Sequence, residues 1–193
     1  MNTPTHFLIG AATVKFSRYP LVTSAFLLGS IAPDIPLYLL SVSGYFHYTN
    51  RGMSAAEAFR HMFNDLFFND PVWIALHNAL HSPLVLAVTL ALLWSSRDRI
   101  GSLARWSFYF FLACLLHTAL DIPTHVHDGP LLFFPLNWSI RFLSPISYWD
   151  PNYFGREFTY FELALDILLL LVLAVIPGLK RIGTLVGMNI RRR

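Results

Sequence analysis

Seven side chains of metal-binding type occupy positions where an apolar chain has little reason to keep them: His6, Asp34, His77, His81, His117, Asp121 and His125. Five of them, Asp34, His77, His81, His117 and Asp121, interrupt long apolar runs; His6 lies on a shorter one and His125 just past the end of another. A charge near the centre of a bilayer costs about 2.5–3.5 kcal/mol even on a lenient scale. Such residues need partners, and a divalent cation satisfies several at once. His77 and His81 are spaced i, i+4, as are His117 and Asp121, so each pair shares a helix face. His125 follows Asp121 at the same interval, but Pro123 pushes Ile122 out of the α region, which puts His125 at a helix end or in a loop. A His-x3-Asp pair can grip one ion, or its carboxylate can bridge two. Neutral imidazole and carboxylate are the ligands zinc accepts besides thiolate. A lone His on an apolar helix is an ordinary hydrogen-bonded core residue; the case for a metal rests on how many converge.

The elements that must position these groups follow from composition. Of 193 residues, 55% are hydrophobic and only 13% charged, where a soluble domain carries about 25% charged residues. The chain reads as a single all-α, membrane-embedded domain over residues 1–193, a multi-pass transmembrane bundle. Four apolar runs approach spanning length: Leu21–Leu40, Pro71–Trp94, Trp106–Pro123 and Leu163–Leu179. A short helix over Pro4–Ser17 precedes them, with Thr3-Pro4 as its start signal and Pro20 as its stop. It is no signal peptide, because its basic residues follow the apolar stretch instead of preceding it. One cysteine, Cys114, excludes an internal disulfide and a cysteine-based zinc site, and a net charge of +3 is too weak to suggest nucleic acid.

Ten of the fourteen basic residues form three groups: Lys15 and Arg18; Arg97, Arg99 and Arg105; and Lys180, Arg181 and Arg191–Arg193. The positive-inside rule places all three in the cytoplasm, the C-terminus with them. Ser41–Asp70 and Thr124–Glu162 then face the opposite side. The first carries a helical stretch over Ser54–Phe68, with Ser54 as N-cap; the second is rich in aromatics and reads either as an aromatic belt or as a lid or groove. At 1.5 Å per residue, Asp34, His77 and His117 each lie about 9 Å below the outer end of their spans. Residues from three helices thus share one layer near the extracytoplasmic face. Pro33 predicts a bend that presents Asp34. Gly10, Ala11 and Ala12, and Gly29, Ser30 and Ala32, would allow helices to approach closely there. His47, His61 and His127 are expected at the surface, Asp128 in a turn before Gly129-Pro130, and Glu162 and Asp166 near the interface or behind the ligands.

The ordered motifs Thr5-His6-x3-Gly10, Gly29-Ser30-Ile31-Ala32-Pro33-Asp34, His77-x3-His81-Ser82, His117-x3-Asp121-x2-Thr124-His125 and Gly129-Pro130-Leu131-Leu132-x2-Pro135 together resemble the membrane-bound metal-dependent hydrolase family, relatives of zinc-dependent phospholipase C. The resemblance covers roughly two thirds of the chain. It implies a helical bundle around a cluster of one to three zinc ions, or another divalent metal, and hydrolysis of a phosphoester. His6, Asp34, His81, His117 and Asp121 match the family's metal ligands, with His77 and His125 matching in part. The third motif departs from the family in spacing its histidines four apart rather than five, and Ile35-Pro36 stands where a second acidic residue is common.

The expected chemistry is metal-assisted hydrolysis, in which a bound ion lowers the pKa of water and polarises a phosphoryl oxygen. His125 or Asp128 is the candidate to move the proton. A site about 9 Å below the outer surface suits a membrane lipid headgroup or a lipid-linked phosphate as substrate. The rival class is intramembrane ion or proton transport, since His and Asp inside membranes also build relays. Haem ligation fits less well, because paired histidines suit haem but two aspartates do not.

Overall fold

The computed structural model describes the backbone of residues 1–190 and the side chains of residues 1–175. Its elements in chain order are α1 (Thr3–Phe16), α2 (Thr23–Gly29), α3 (Ile35–Thr49), α4 (Ala55–His61), α5 (Phe67–Asn69), α6 (Pro71–Asn78), α7 (Pro83–Leu93), α8 (Leu103–Asp121) and α9 (Gly155–Ile190). There is no strand among the described residues; a single antiparallel bridge joins Leu131 and Arg141.

Two stretches are long and apolar enough to cross a membrane unbroken, Leu103–Thr124 and Gly155–Val175. The other two expected spans are bent pairs: Thr23–Gly29 with Ala32–Thr49, at 41°, and Pro71–Asn78 with Pro83–Ser96, at 45°. Proline explains both breaks, since it removes a backbone donor and clashes with the preceding turn. The bend foreseen at Pro33 is present. The run Pro71–Trp94, read as one span, is interrupted before Pro83, where Ser82 caps α7. The last helix begins at Gly155 rather than Leu163, because its first two turns, Gly155–Glu162, are too polar for an apolar-run reading. The side chains of Lys180 and Arg181, and Arg191–Arg193 altogether, lie outside the described residues.

α8 is the central helix, packed against α2 on one side and α7 on the other. Its contact with α2 is close because Gly29 has no side chain; a Cβ there would overlap the Phe110 carbonyl oxygen and press on Ala113. α1 passes α2 in the same manner, with Gly10 against the Ser30 side chain. α1 starts one residue earlier than expected, and Asn2 rather than Thr3 stands at its cap position without a capping bond of its own. Its side-chain amide is engaged elsewhere: the two carboxylate oxygens of Glu162 accept from the Asn2 backbone N–H (2.7 Å) and from its Nδ2 (2.5 Å). α9 docks on α1 and leaves Leu163, Ile167, Leu170, Leu171 and Val175 exposed, as a lipid-facing helix does. A second polar tie is at the other end of α1, where Lys15 Nζ donates to the carbonyls of Leu173 (2.6 Å) and Val172 (3.3 Å). Pro177 has no N–H to offer the Leu173 carbonyl four residues back, so Lys15 supplies the missing donor.

The Ser54–Phe68 stretch is helical but not one helix. Ser54 and Glu57 form a reciprocal capping box at the start of α4, and a π-turn over Met62–Leu66 then leads into α5. The segment after Thr124 is irregular yet tied down. Asn78 Oδ1 accepts from the Leu131 N–H at 2.8 Å, Ser82 Oγ donates to the Phe134 carbonyl at 2.9 Å, and the Tyr148 N–H donates to the Thr124 carbonyl at 2.9 Å.

Because Gly29 sets the α2–α8 spacing, Gly29→Ala is expected to lower stability by about 1–3 kcal/mol, the cost of overpacking a filled contact. Thermal unfolding in detergent measures it. An unchanged midpoint would show that the helices can separate freely there.

Candidate metal centre

Breaking two of the spans places their functional residues at helix ends. Asp34 closes the short 3-10 turn between α2 and α3; His81 lies in the break between α6 and α7. His117 and Asp121 occupy successive turns at the end of α8. Asp34, His81, His117 and Asp121 each offer one ligand atom, and these atoms all lie within 4.8 Å of one another. His117 Nε2 is 3.0 Å from Asp121 Oδ2 and 3.5 Å from Asp34 Oδ1; His81 Nε2 is 3.5 Å from Asp34 Oδ1 and 3.7 Å from Asp121 Oδ2.

Both imidazoles are aimed by backbone carbonyls. His81 Nδ1 lies 2.8 Å from the His77 carbonyl, and His117 Nδ1 lies 2.8 Å from the Ser30 carbonyl. A carbonyl only accepts, so Nδ1 carries the proton on each ring and Nε2 points into the cluster. This is the arrangement metal-bound histidines commonly adopt. His117 Nε2 is buried and has no hydrogen-bond partner of acceptable geometry, although a carboxylate is close by. Two nitrogen lone pairs and two carboxylates converging in one place, with a buried nitrogen unpaired, fit a divalent cation by position and by chemistry.

The remaining expected residues surround this group. His6 Nε2 lies 2.9 Å from Asp121 Oδ1, and its ring stacks on His117 at 3.7 Å. His77 is buried outside the four-residue group, its ring between Phe67 and His81 and its carbonyl holding His81. His125 Nδ1 meets the Asp121 carbonyl at 2.9 Å and stands 3.9 Å from Asp121 Oδ1. Burial holds the His125 imidazole below its usual pKa, against the pull of the Asp121 carboxylate. Asp128 is further off, accepting from the Trp149 indole N–H at 2.8 Å. Of the histidines expected at the surface, His47 is exposed, His61 pairs with Asp65 at 3.3 Å, and His127 lies near the Tyr153 hydroxyl.

Several contributors carry no sequence signal. The Met1 ammonium donates to Asp121 Oδ1 (2.8 Å) and to Thr124 Oγ1 (3.0 Å). Thr3 Oγ1 donates to Asp34 Oδ2 at 2.5 Å and is itself 2.7 Å from the Tyr38 hydroxyl. Isolated hydroxyls and a main-chain amine match no spacing rule; only the return of the first residues over the cluster brings them there.

Asp34, His81 and Asp121 of this group line a cavity of about 830 Å³, whereas His117 is buried and does not line it. Leu37, Phe59, Phe63, Phe67 and Phe68 line it from the stretch α3 to α5, Tyr148, Trp149 and Asp128 from the segment after Thr124, and Arg60 from α4. Of the aromatic-rich segment, Tyr148 and Trp149 therefore line the cavity, whereas Phe133, Trp138 and Phe142 are exposed. Burial pushes the Tyr148 phenol pKa up, with Asp128 adding to the effect.

The family model described as "YdjM inner membrane protein" matches residues 1–181, nearly the whole chain, and the chain belongs to that family. It is thus an integral membrane protein. No curated protein and no solved structure matches it.

With metal chelated, Asp121 is the buried counter-charge for its neighbours. Asp121→Ala is expected to destabilise the protein by about 3–5 kcal/mol, the cost of leaving partners of a buried ion pair uncompensated. The expected order of thermal midpoints in chelator is wild type, then Asp121→Asn, then Asp121→Ala. Equal midpoints would mean that the carboxylate carries no structural charge balance.

Proposed function

We propose that this member of the YdjM inner membrane protein family is a metal-dependent hydrolase that cleaves a phosphoester of a lipid or lipid-linked substrate near the extracytoplasmic face. Asp34, His81, His117 and Asp121 hold the ion, for which zinc suits the two-nitrogen, two-oxygen donor set; His6, His77 and His125 support or extend it. The observation that carries the reading is the convergence of this donor set beside a cavity that Asp34, His81 and Asp121 line together with several aromatic side chains. The resemblance of the ordered motifs, which contain these same four residues, to membrane-bound metal-dependent hydrolases is consistent with it.

When bound, the ion supplies a water of lowered pKa and polarises a phosphoryl oxygen. The chain's own residues do the rest. The His77 and Ser30 carbonyls lock the two ligand imidazoles in one tautomer, so the donor atoms need not reorganise. Thr3 holds one Asp34 oxygen and leaves the other facing the histidines. His125, kept neutral by burial, stands beside Asp121 to take a proton, and Asp128 is a second acceptor further along the same wall. The phenylalanine wall of Phe59, Phe63, Phe67 and Phe68 excludes water and receives an apolar chain, while the side lined by Asp34, His81 and Asp121 receives the headgroup phosphate.

Elemental mass spectrometry of the detergent-purified protein, followed by assay on phospholipid and lipid-linked phosphate substrates, tests the reading. One to three zinc ions per chain are expected, with His117→Ala and Asp121→Asn each reducing metal content at least tenfold and phosphate-ester release with it. Unchanged metal content in both variants would remove these ligands from the proposal. Full metal content with no phosphoester cleaved, but with metal uptake into proteoliposomes, would favour transport over hydrolysis.

A further inference from the structure

The end of the bundle remote from the metal-ligand group has its own chemistry. α1 leads away from that group towards Lys15, α2 returns from Val22 to Ser30, α7 leads from His81 to Trp94, and α8 returns from Ser102 to Asp121. Arg18, Arg97, Arg99 and Arg105 are thereby gathered at one end, accompanied in the same loops by a single acid, Asp98. Asp98 pairs with Arg97 at 3.4 Å, and that guanidinium also lies 4.2 Å from the Trp94 ring centroid. Among the described residues, Arg18, Arg99 and Arg105 form no ion pair.

A groove of about 510 Å³ opens between the starts of α2 and α8, lined by Val22, Gly101, Ser102, Leu103, Arg105 and Trp106. Its cation is held in place. Arg105 Nη2 donates to the Pro20 carbonyl at 2.7 Å, the guanidinium lies 5.6 Å from the Tyr109 ring centroid, and its Nε is buried without a partner. Its apolar wall is also fixed: Trp106 Nε1 donates to Ser24 Oγ at 3.1 Å, and the indole stacks on Phe110 at 5.3 Å. Around the groove, Ile100 is 87% and Leu103 78% exposed, which suits contact with lipid and not with water.

We propose that this groove binds one anionic phospholipid, independently of the metal centre. The phosphate sits on Arg105, Arg99 and Arg18 supply the surrounding positive charge, and an acyl chain runs along Val22, Leu103 and Trp106. Charge complementarity selects the occupant. A fixed, unneutralised arginine next to an apolar wall, with two more in the flanking loops, matches a headgroup of net negative charge carried on a hydrocarbon chain. A zwitterionic lipid would bring a cation into a neighbourhood that already has an excess of them. Basic side chains near a membrane surface each favour anionic lipid by about fivefold.

Native mass spectrometry of the full chain, released from nanodiscs holding equal phosphatidylglycerol and phosphatidylcholine, provides the test. One retained phosphatidylglycerol per chain is expected, preferred at least tenfold over phosphatidylcholine. Arg105→Gln should reduce that retention at least fivefold while the metal content stays at the wild-type level. If Arg105→Gln does not fold, Arg18→Gln combined with Arg99→Gln replaces it, and the preference should then fall several-fold and weaken further as salt is raised. Equal retention of the two lipids by wild type, or wild-type retention by the folded variants, overturns the proposal. Displacement of the lipid by millimolar inorganic phosphate also overturns it, since the groove would then be reading a free anion and not a lipid.

Discussion

Two carboxylates inside an apolar helical bundle are the constraint on which the rest of this structure depends. Asp121 is 4% exposed in total, and Asp34 faces the same few cubic ångströms from another helix. A buried anion is tolerated only when it is paired and its oxygens are occupied. The chain therefore brings histidines from α1, from the α6–α7 break and from α8 to the carboxylates, and returns its first residues over them. A divalent cation held by these residues would satisfy the same requirement more completely, because the unpaired Nε2 of His117 would then have a partner as well.

This demand explains features that would otherwise count as defects. An unbroken span would bury every backbone group and present side chains only sideways. The prolines at 33 and 83 interrupt helices inside the apolar runs instead, so that Asp34 and His81 approach the cluster from helix ends. The breaks free backbone carbonyls, and two carbonyls in these regions, those of Ser30 and His77, are the ones that orient His117 and His81. The close approach of α2 and α8 at Gly29 is part of the same arrangement. It brings the Ser30 carbonyl to 2.8 Å from the His117 ring on α8, a distance that a side chain at position 29 would lengthen.

Much of this is legible in the sequence, and what is not has identifiable causes. Apolar runs interrupted by His and Asp at matching depth mark both the membrane bundle and the four residues that converge. The i, i+4 spacing assigns His77 and His81 to one helix face, yet it cannot say which ring's nitrogen reaches the cluster. Since the break after Asn78 turns the chain between them, His81 enters the group while His77 lies against Phe67. Hydropathy likewise misses the polar first turns of α9, although these carry Glu162, whose carboxylate holds Asn2. The roles of Thr3 and of the Ser30 carbonyl depend on a fold-back and on backbone direction, for which residue types carry no pattern.

The cluster's surroundings differ sharply on its two sides, and that asymmetry bears on chemistry. Above it lies the cavity with its phenylalanine wall. On the other side, Ala32, Leu86 and Cys114 pack in one apolar cluster, and Ala25, Leu90, Phe108 and Tyr109 in a second. A conduction path needs polar groups or water continuing to the far end, and these apolar clusters offer almost none. The groups that can bind or move protons are instead concentrated on the cavity side, where His125 and Asp128 stand with the cluster. Polar groups beside a cavity, with packed hydrocarbon behind them, are what the proposed hydrolysis would require of this site. The amphipathic substrate proposed above would meet both surfaces at once, with its phosphate near Asp34, His81 and Asp121 and its chain against Phe59, Phe63, Phe67 and Phe68.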